Sequence, residues 1–307
     1  MGTSTTHGLS SLARQSGALA MVAIDQRESL RTMFNATRSG LVPDRALIDF
    51  KVAVAERLAP VASAMLFDRH LAMPAFEAAA AVPSCARILA ADHLTQAPGG
   101  PVEDTDIDFG LDPAEARAQG AVALKLLLIW RGDENRQRCT DTAAQFVQRC
   151  RDAGLLGIIE AIVRAPTLPV GHFNREAAIV EAASDLGSVG PDLYKCEVPF
   201  QGRASDAATA RVCESVTSVL PCPWVVLSQG VSIADFPHAL EVACRAGASG
   251  FLAGRAVWAD TLADDNYRAQ LEGVAVPRLR SLVEIVDAVV QPWRRVSSTS
   301  VTAADPD

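Results

Sequence analysis

Eight apolar runs of strand length recur along the chain, at 18–24, 62–67, 86–91, 121–130, 156–163, 192–198, 224–228 and 250–253. They are continuous rather than alternating, which is the pattern of parallel strands buried on both faces. Between most of them lie segments with helical period and helix start signals. These are Pro43 to Leu58, Asp112 to Gln119 beyond the turn-rich Gly99 to Asp106, Asp133 to Ala153, Asn174 to Leu186, Ser205 to Val219 and Ser232 to Ala246. A shorter helix is expected around Ala75 to Ala81, and a long one, Asp265 to Val290, follows the eighth run. Strand and helix repeated eight times with no linker predicts an α/β chain folded as one TIM (β/α)8 barrel. The expected barrel spans 10–293, between a flexible N-terminus at 1–9 and a disordered Ser/Thr/Ala-rich tail at 294–307.

Composition narrows the function classes. With 49% hydrophobic and 21% charged residues the chain has the make-up of a soluble globular protein. No apolar run reaches the roughly 18 residues of a spanning helix, so no membrane association is expected. The 28 Lys and Arg against 36 Asp and Glu form no basic stripe, and no nucleic-acid partner is expected. Seven dispersed cysteines without a C-x-x-C pair read as reduced thiols of a cytoplasmic protein. The N-terminus lacks a secretory signal and fits only the short, common myristoylation pattern M-G-x-x-x-[ST].

A barrel places chemistry at the C-terminal ends of its strands. The polar residues there are Asp25-Gln26-Arg27-Glu28, Asp68, Asp92-His93, Lys125, Glu160, Lys195 with Glu197, Ser228-Gln229-Gly230 and Gly254-Arg255. The basic residues include only three lysines, Lys51, Lys125 and Lys195, and two of the three fall inside predicted strands. A lysine in an apolar strand is costly unless it is paired or faces a polar cavity. Unlike arginine, a desolvated lysine beside another cation can lose its proton and attack a carbonyl. Lys125 and Lys195 are therefore either a nucleophilic pair or two buried lysines paired with carboxylates such as Glu160 and Glu197.

Glu160 lies on the strand between them, placed either to move a proton or to balance Lys125. Small residues followed by a cation at Ser228, Gly230, Gly254 and Arg255 suit an anion in the loops after strands seven and eight, the usual phosphate site of this fold, or are ordinary tight turns. Asp25, Gln26 and Arg27 are either ligands for hydroxyls and an anion or a solvated loop. Asp92-His93 reads as structural, because one histidine with no second nearby makes a poor metal site. None of the five histidines shows ligand spacing, which counts against a zinc-dependent class II aldolase; neither metal nor cofactor is expected. Cys196 points to the opposite side of its strand from Lys195 and reads as core.

Seven ordered segments carry a resemblance: Ala23-Ile-Asp-Gln-Arg-Glu-Ser-Leu-Arg31, Asp49-Phe-Lys-Val, Ala123-Leu-Lys-Leu-Leu, Gly157-Ile-Ile-Glu160, Asp192-Leu-Tyr-Lys-Cys-Glu-Val-Pro199, Leu227-Ser-Gln-Gly-Val231 and Gly250-Phe-Leu-Ala-Gly-Arg-Ala-Val-Trp258. They resemble the class I aldolases of the tagatose-1,6-bisphosphate aldolase group, and within it the sulfofructosephosphate aldolases of sulfoglycolysis. The resemblance implies metal-free cleavage of 6-deoxy-6-sulfofructose 1-phosphate to dihydroxyacetone phosphate and 3-sulfolactaldehyde. It implies Lys195 as the Schiff-base lysine and Glu160 as the proton-transfer carboxylate, with Asp25 and Lys125 holding hydroxyls and tuning the amine. Ser228, Gly230, Gly254 and Arg255 match the C1-phosphate site, which leaves Gln26 and Arg27 for the far anionic end. A homo-oligomer acting on a small-molecule ketose phosphate is the implied state. Tagatose or fructose 1,6-bisphosphate is the alternative substrate, and a non-catalytic sugar-phosphate-binding barrel is the alternative of another class. Gln229 departs from the group, which has a small residue at that place.

Overall fold

The computed structural model describes residues 8–37, 41–97, 100–133, 135–167, 171–264 and 266–290. Its strands, in chain order, are β1 (Leu19–Ile24), β2 (Ala64–Phe67), β3 (Ala86–Ala90), β4 (Asp92–Gln96), β5 (Val102–Ile107), β6 (Ala123–Trp130), β7 (Leu156–Val163), β8 (Leu193–Glu197), β9 (Trp224–Leu227) and β10 (Gly250–Ala253). Eight of them close a parallel barrel in the order β1-β10-β9-β8-β7-β6-β3-β2, and β4 and β5 form a separate antiparallel pair. The predicted TIM barrel is the fold. Among the described residues no helix is long and apolar enough to cross a membrane.

Alternation along each strand divides the apolar residues into two sets. Leu19, Met21, Ala64, Leu66, Ile88, Ala123, Ile158, Leu193, Val225 and Leu252 fill the barrel interior. Ala20, Val22, Met65, Phe67, Leu124, Ile159, Cys196 and Val226 face outward into the layer shared with the helices. Each such large side chain fully buried contributes about 1.5–3 kcal/mol, which explains why the strands read as unbroken apolar runs. Cys196 lies in the outer layer, as the alternation from Lys195 requires.

Leu9 and Leu12, on a short 3-10 turn (Leu9–Leu12), close the barrel floor against the interior set. Leu9, the last residue of the segment expected to be flexible, is buried there. The expected tail at 294–307 lies outside the described residues, as do residues 1–7.

Three features differ from the pattern read in the sequence. A helix, Glu28–Thr37, follows β1 directly and precedes the expected one at Asp44–Leu58. The turn-rich segment near 99–106 contains β5, which pairs with β4 as a hairpin inserted between β3 and β6. The final helix is not continuous: Tyr267–Gln270 passes through a π turn at Leu271–Ala275 into Val276–Val289. Pro277, in the first turn of that last helix, has no N–H to donate to the preceding turn, which widens in response.

Candidate active site

The barrel interior changes character one layer above its apolar floor. Lys125, Glu160 and Lys195 each stand two residues beyond an interior apolar residue, Ala123, Ile158 and Leu193, on the same strand face. Asp25 follows Ala23 by the same spacing. The strand register pairs Glu160 with Lys195 and with Leu127, two residues beyond Lys125, so Lys125 sits one inward-facing position lower on β6 and reaches up to the Glu160 carboxylate. Above them Ile129, Ile162 and Leu227 form an apolar shelf with Leu127 and Val102.

These side chains form one ion network. Lys125 Nζ lies 2.8 Å from Asp25 Oδ2, 2.8 Å from Asp92 Oδ2 and 3.2 Å from Glu160 Oε2. Lys195 Nζ lies 2.9 Å from Glu160 Oε1, so Glu160 bridges the two ammonium groups. Arg27 Nη2 donates to Asp92 Oδ1 at 3.0 Å. Three cations, Lys125, Lys195 and Arg27, thus face three carboxylates, Asp25, Asp92 and Glu160. Burial disfavours charge on Lys125, but Asp25, Asp92 and Glu160 outweigh it and hold its pKa well above the ordinary lysine value. Burial likewise pushes the Asp25 carboxyl up, while Lys125 and Lys195 bring it down to about 2. Lys125 and Asp25 are therefore fixed charges at neutral pH.

Asp92 was read as structural in the sequence and is instead a full member of this network. A lone Asp at a strand end has no spacing signal, and only barrel closure beside β6 brings it to Lys125. Its neighbour His93 is exposed. The third lysine, Lys51, is fully buried and lies outside the cluster. Its Nζ donates to Ile24 O and Gln26 O, each at 2.7 Å, and to Asp68. Those carbonyls flank Asp25, so Lys51 anchors the chain on both sides of it.

The network opens into a cavity of about 340 Å3, a size that suits a small organic ligand. On one side stand Ser228, Gln229, Gly254 and Arg255. A Cβ at Gly254 would lie 2.8 Å from both Ala23 O and Gln26 Nε2, so the close approach of β1 to this turn requires glycine. Gly230 adopts φ 81°, and a Cβ there would meet Gln201 Nε2 at 2.6 Å. Gln229 turns its amide oxygen to Arg255 Nη2 at 3.4 Å, so the departure from the resembling group engages the cation of this loop.

Gln26 and Arg27 both line the cavity but diverge. Gln26 reaches Gly254, on the Ser228 side, whereas Arg27 reaches Asp92 across β2. Among the described residues Gln26 Oε1 and Arg27 Nε are buried without a hydrogen-bond partner, which is unusual in a native fold and fits atoms awaiting a polar ligand. Arg164, the residue just beyond β7, also lines the cavity. It carried no motif in the sequence; the strand period extended past Glu160 is the signal that finds it. Among the described residues no group of three or more His, Cys, Asp or Glu side chains is arranged to hold a metal ion.

Comparison with known proteins gives concordant matches. The sequence matches the family described as "DeoC/LacD family aldolase" over residues 19–260. It is 28% identical to a tagatose 1,6-diphosphate aldolase of Listeria monocytogenes, the alignment covering 93% of this chain and 92% of that one. It is 25% identical to tagatose 1,6-diphosphate aldolase 1 of Streptococcus pyogenes, over 94% and 96% of the two chains. An archaeal fructose 1,6-bisphosphate aldolase has the same fold with a TM-score of 0.64 at 19% identity, over 91% of this chain and 98% of that one.

Proposed function

The chain belongs to the DeoC/LacD family of aldolases, and from that premise we propose that it is a class I, Schiff-base aldolase acting without metal on a ketose 1-phosphate. The observation that carries the reading is the contact of Lys195 Nζ with Glu160 Oε1 at 2.9 Å, with Lys125 on the other oxygen of the same carboxylate. A nucleophilic amine needs a base beside it and a second cation nearby, and this arrangement supplies both.

Neutral Lys195 attacks the C2 carbonyl of the open-chain ketose, and the carbinolamine loses water to give an iminium. Three carboxylates, Asp25, Asp92 and Glu160, face Lys125, Arg27 and position 195, so a positively charged iminium at position 195 is balanced. Glu160 takes the C4 hydroxyl proton as the C3–C4 bond breaks, and the electron pair moves into the iminium to give an enamine. Protonation at C3 and hydrolysis release dihydroxyacetone phosphate and regenerate Lys195. Asp25 and Lys125 hold substrate hydroxyls from fixed charge states. Ser228, Gly230, Gly254 and Arg255 receive the C1 phosphate, and the orphaned Gln26 Oε1 and Arg27 Nε contact the substrate's polar groups.

We assign 6-deoxy-6-sulfofructose 1-phosphate as the substrate, giving 3-sulfolactaldehyde as the second product. Arg27 shares Asp92 with Lys125 and so brings donors but little net charge to the distal end, where Arg164 adds a single positive charge. A sulfonate with one negative charge tolerates this better than a phosphate with nearly two. The names of the Listeria and Streptococcus relatives favour a second reading, tagatose 1,6-bisphosphate, or its C4 epimer fructose 1,6-bisphosphate, with the same chemistry. Aldol cleavage of the three compounds in EDTA, with dihydroxyacetone phosphate release coupled to NADH oxidation, tests both. Preference for the sulfonate is expected. Preference for a bisphosphate selects the second reading, and loss of activity in EDTA contradicts the metal-free mechanism.

A further inference from the structure

We propose that Arg164 recognises the anionic group at the far end of the substrate, a sulfonate or a phosphate on C6. The proposal rests on the Schiff-base reading and adds the place of the second anion. Alternation along β7 puts Ile158 in the apolar floor, Glu160 at the reactive level, Ile162 in the apolar shelf and Arg164, just beyond the strand, next in the same alternation. At about 3.3 Å per residue, roughly 13 Å of strand separates the Glu160 and Arg164 backbones. A long side chain folding back from that height meets the end of a ketose that extends outward from an iminium on Lys195.

The electrostatic state of Arg164 sets it apart from the other cavity arginines. It is half-buried, and among the described residues its guanidinium has no hydrogen bond or ion pair. The carboxylate whose field it shares, Glu197, has both oxygens engaged: Oε2 accepts from Val163 N–H at 2.9 Å, and Oε1 accepts from Arg175. Those contacts fix the backbone one residue before Arg164 and occupy both Glu197 oxygens, so among the described residues Arg164 shares the field of that carboxylate without a hydrogen bond to it. Arg27, by contrast, is held by Asp92, and Arg255 lies with Gln229 on the Ser228 side of the cavity. A guanidinium keeps its proton, and its planar fork fits two oxygens of a sulfonate or phosphate at once. The apolar shelf between Glu160 and Arg164 keeps that anion apart from the reactive carboxylate.

The test compares wild type, Arg164→Met and Arg164→Lys on 6-deoxy-6-sulfofructose 1-phosphate, tagatose 1,6-bisphosphate and fructose 1-phosphate, whose C6 is neutral. The ratio of kcat/KM on a C6-anionic substrate to that on fructose 1-phosphate is expected to fall about 10- to 100-fold in Arg164→Met, mainly through KM, as for loss of a charged hydrogen bond. Arg164→Lys should recover part of it. A larger loss on the sulfonate identifies a sulfonate pocket, and a larger loss on the bisphosphate a phosphate pocket; either supports the proposal. Ratios unchanged within twofold on both anionic substrates overturn it. Borohydride treatment of wild type with dihydroxyacetone phosphate separates the two levels: a trapped adduct with unchanged ratios rejects Arg164 alone, and no adduct rejects the Schiff-base reading with it.

Discussion

Arg27 donates from Nη2 to both the carboxylate and the carbonyl of Asp92, at 3.0 and 3.1 Å, tying the loop after β1 to the first residue of β4. The pair is nearly sealed from water, with side-chain exposures of 16% and 2%, and Asp92 also receives Lys125. One carboxylate therefore limits the charge that two cations present to the cavity. Asp92→Asn keeps the shape and removes that limit. It is predicted to lower kcat about 10- to 100-fold by loosening Lys125, and to shift the bisphosphate-to-sulfonate ratio of kcat/KM toward the bisphosphate about 3- to 10-fold. Steady-state kinetics on both substrates measures this, and a ratio moving toward the sulfonate contradicts it.

Asp25 makes a prediction in acid. Its carboxyl is raised by burial and lowered further by Lys125 and Lys195, to about 2 against an ordinary 3.8. A folded-state pKa below the unfolded one adds stability that is fully present above the unfolded value and is lost as pH falls through the folded one. Urea midpoints of the wild type should therefore decline between about pH 4 and pH 2 more steeply than those of Asp25→Asn. Parallel declines would show that the carboxylate is not held in this way.

The sequence carried the barrel well, because each strand is buried on both faces and each reads as an uninterrupted run. It carried Lys125 and Lys195 for a related reason: a charge inside such a run stands out. Asp92 and Arg164 were hidden, since each sits just past the end of a barrel strand, β3 and β7, where polar residues are ordinary. Their meaning depends on which strands become neighbours and which rung faces inward, and closure of the barrel decides both. The β4–β5 hairpin was hidden by its own chemistry, as Glu103-Asp-Thr-Asp106 has the polar content of a loop although it pairs with Asp92–Gln96.

Gly254 tests the anion loop. A methyl group there would press on Ala23 O and Gln26 Nε2, each 2.8 Å away, and backbone cannot yield as a flexible side-chain end can. Gly254→Ala is predicted to cost about 1–3 kcal/mol of stability, as overpacking does, and to raise KM for ketose 1-phosphates at least tenfold by displacing Gln26. Thermal unfolding and inhibition by inorganic phosphate measure the two effects separately. Unchanged phosphate inhibition would remove Gly254 from the site.

Lys51 tests the anchoring of Asp25. Lys51→Met leaves Asp68 buried without its cation, and Ile24 O and Gln26 O without their shared donor. Breaking a buried pair from one side costs about 3–5 kcal/mol, so a large drop in the denaturation midpoint is expected. A shift equivalent to less than about 1 kcal/mol would show that the clasp contributes little.

The central claim is that Lys195 forms the covalent bond to substrate. Incubation with dihydroxyacetone phosphate, reduction with borohydride and peptide mass spectrometry reads this directly. One reduced adduct is expected on the peptide containing Lys195, absent from Lys195→Arg even though that variant keeps its folded circular dichroism. An adduct on Lys125 instead, or undiminished turnover in Lys195→Arg, would contradict it.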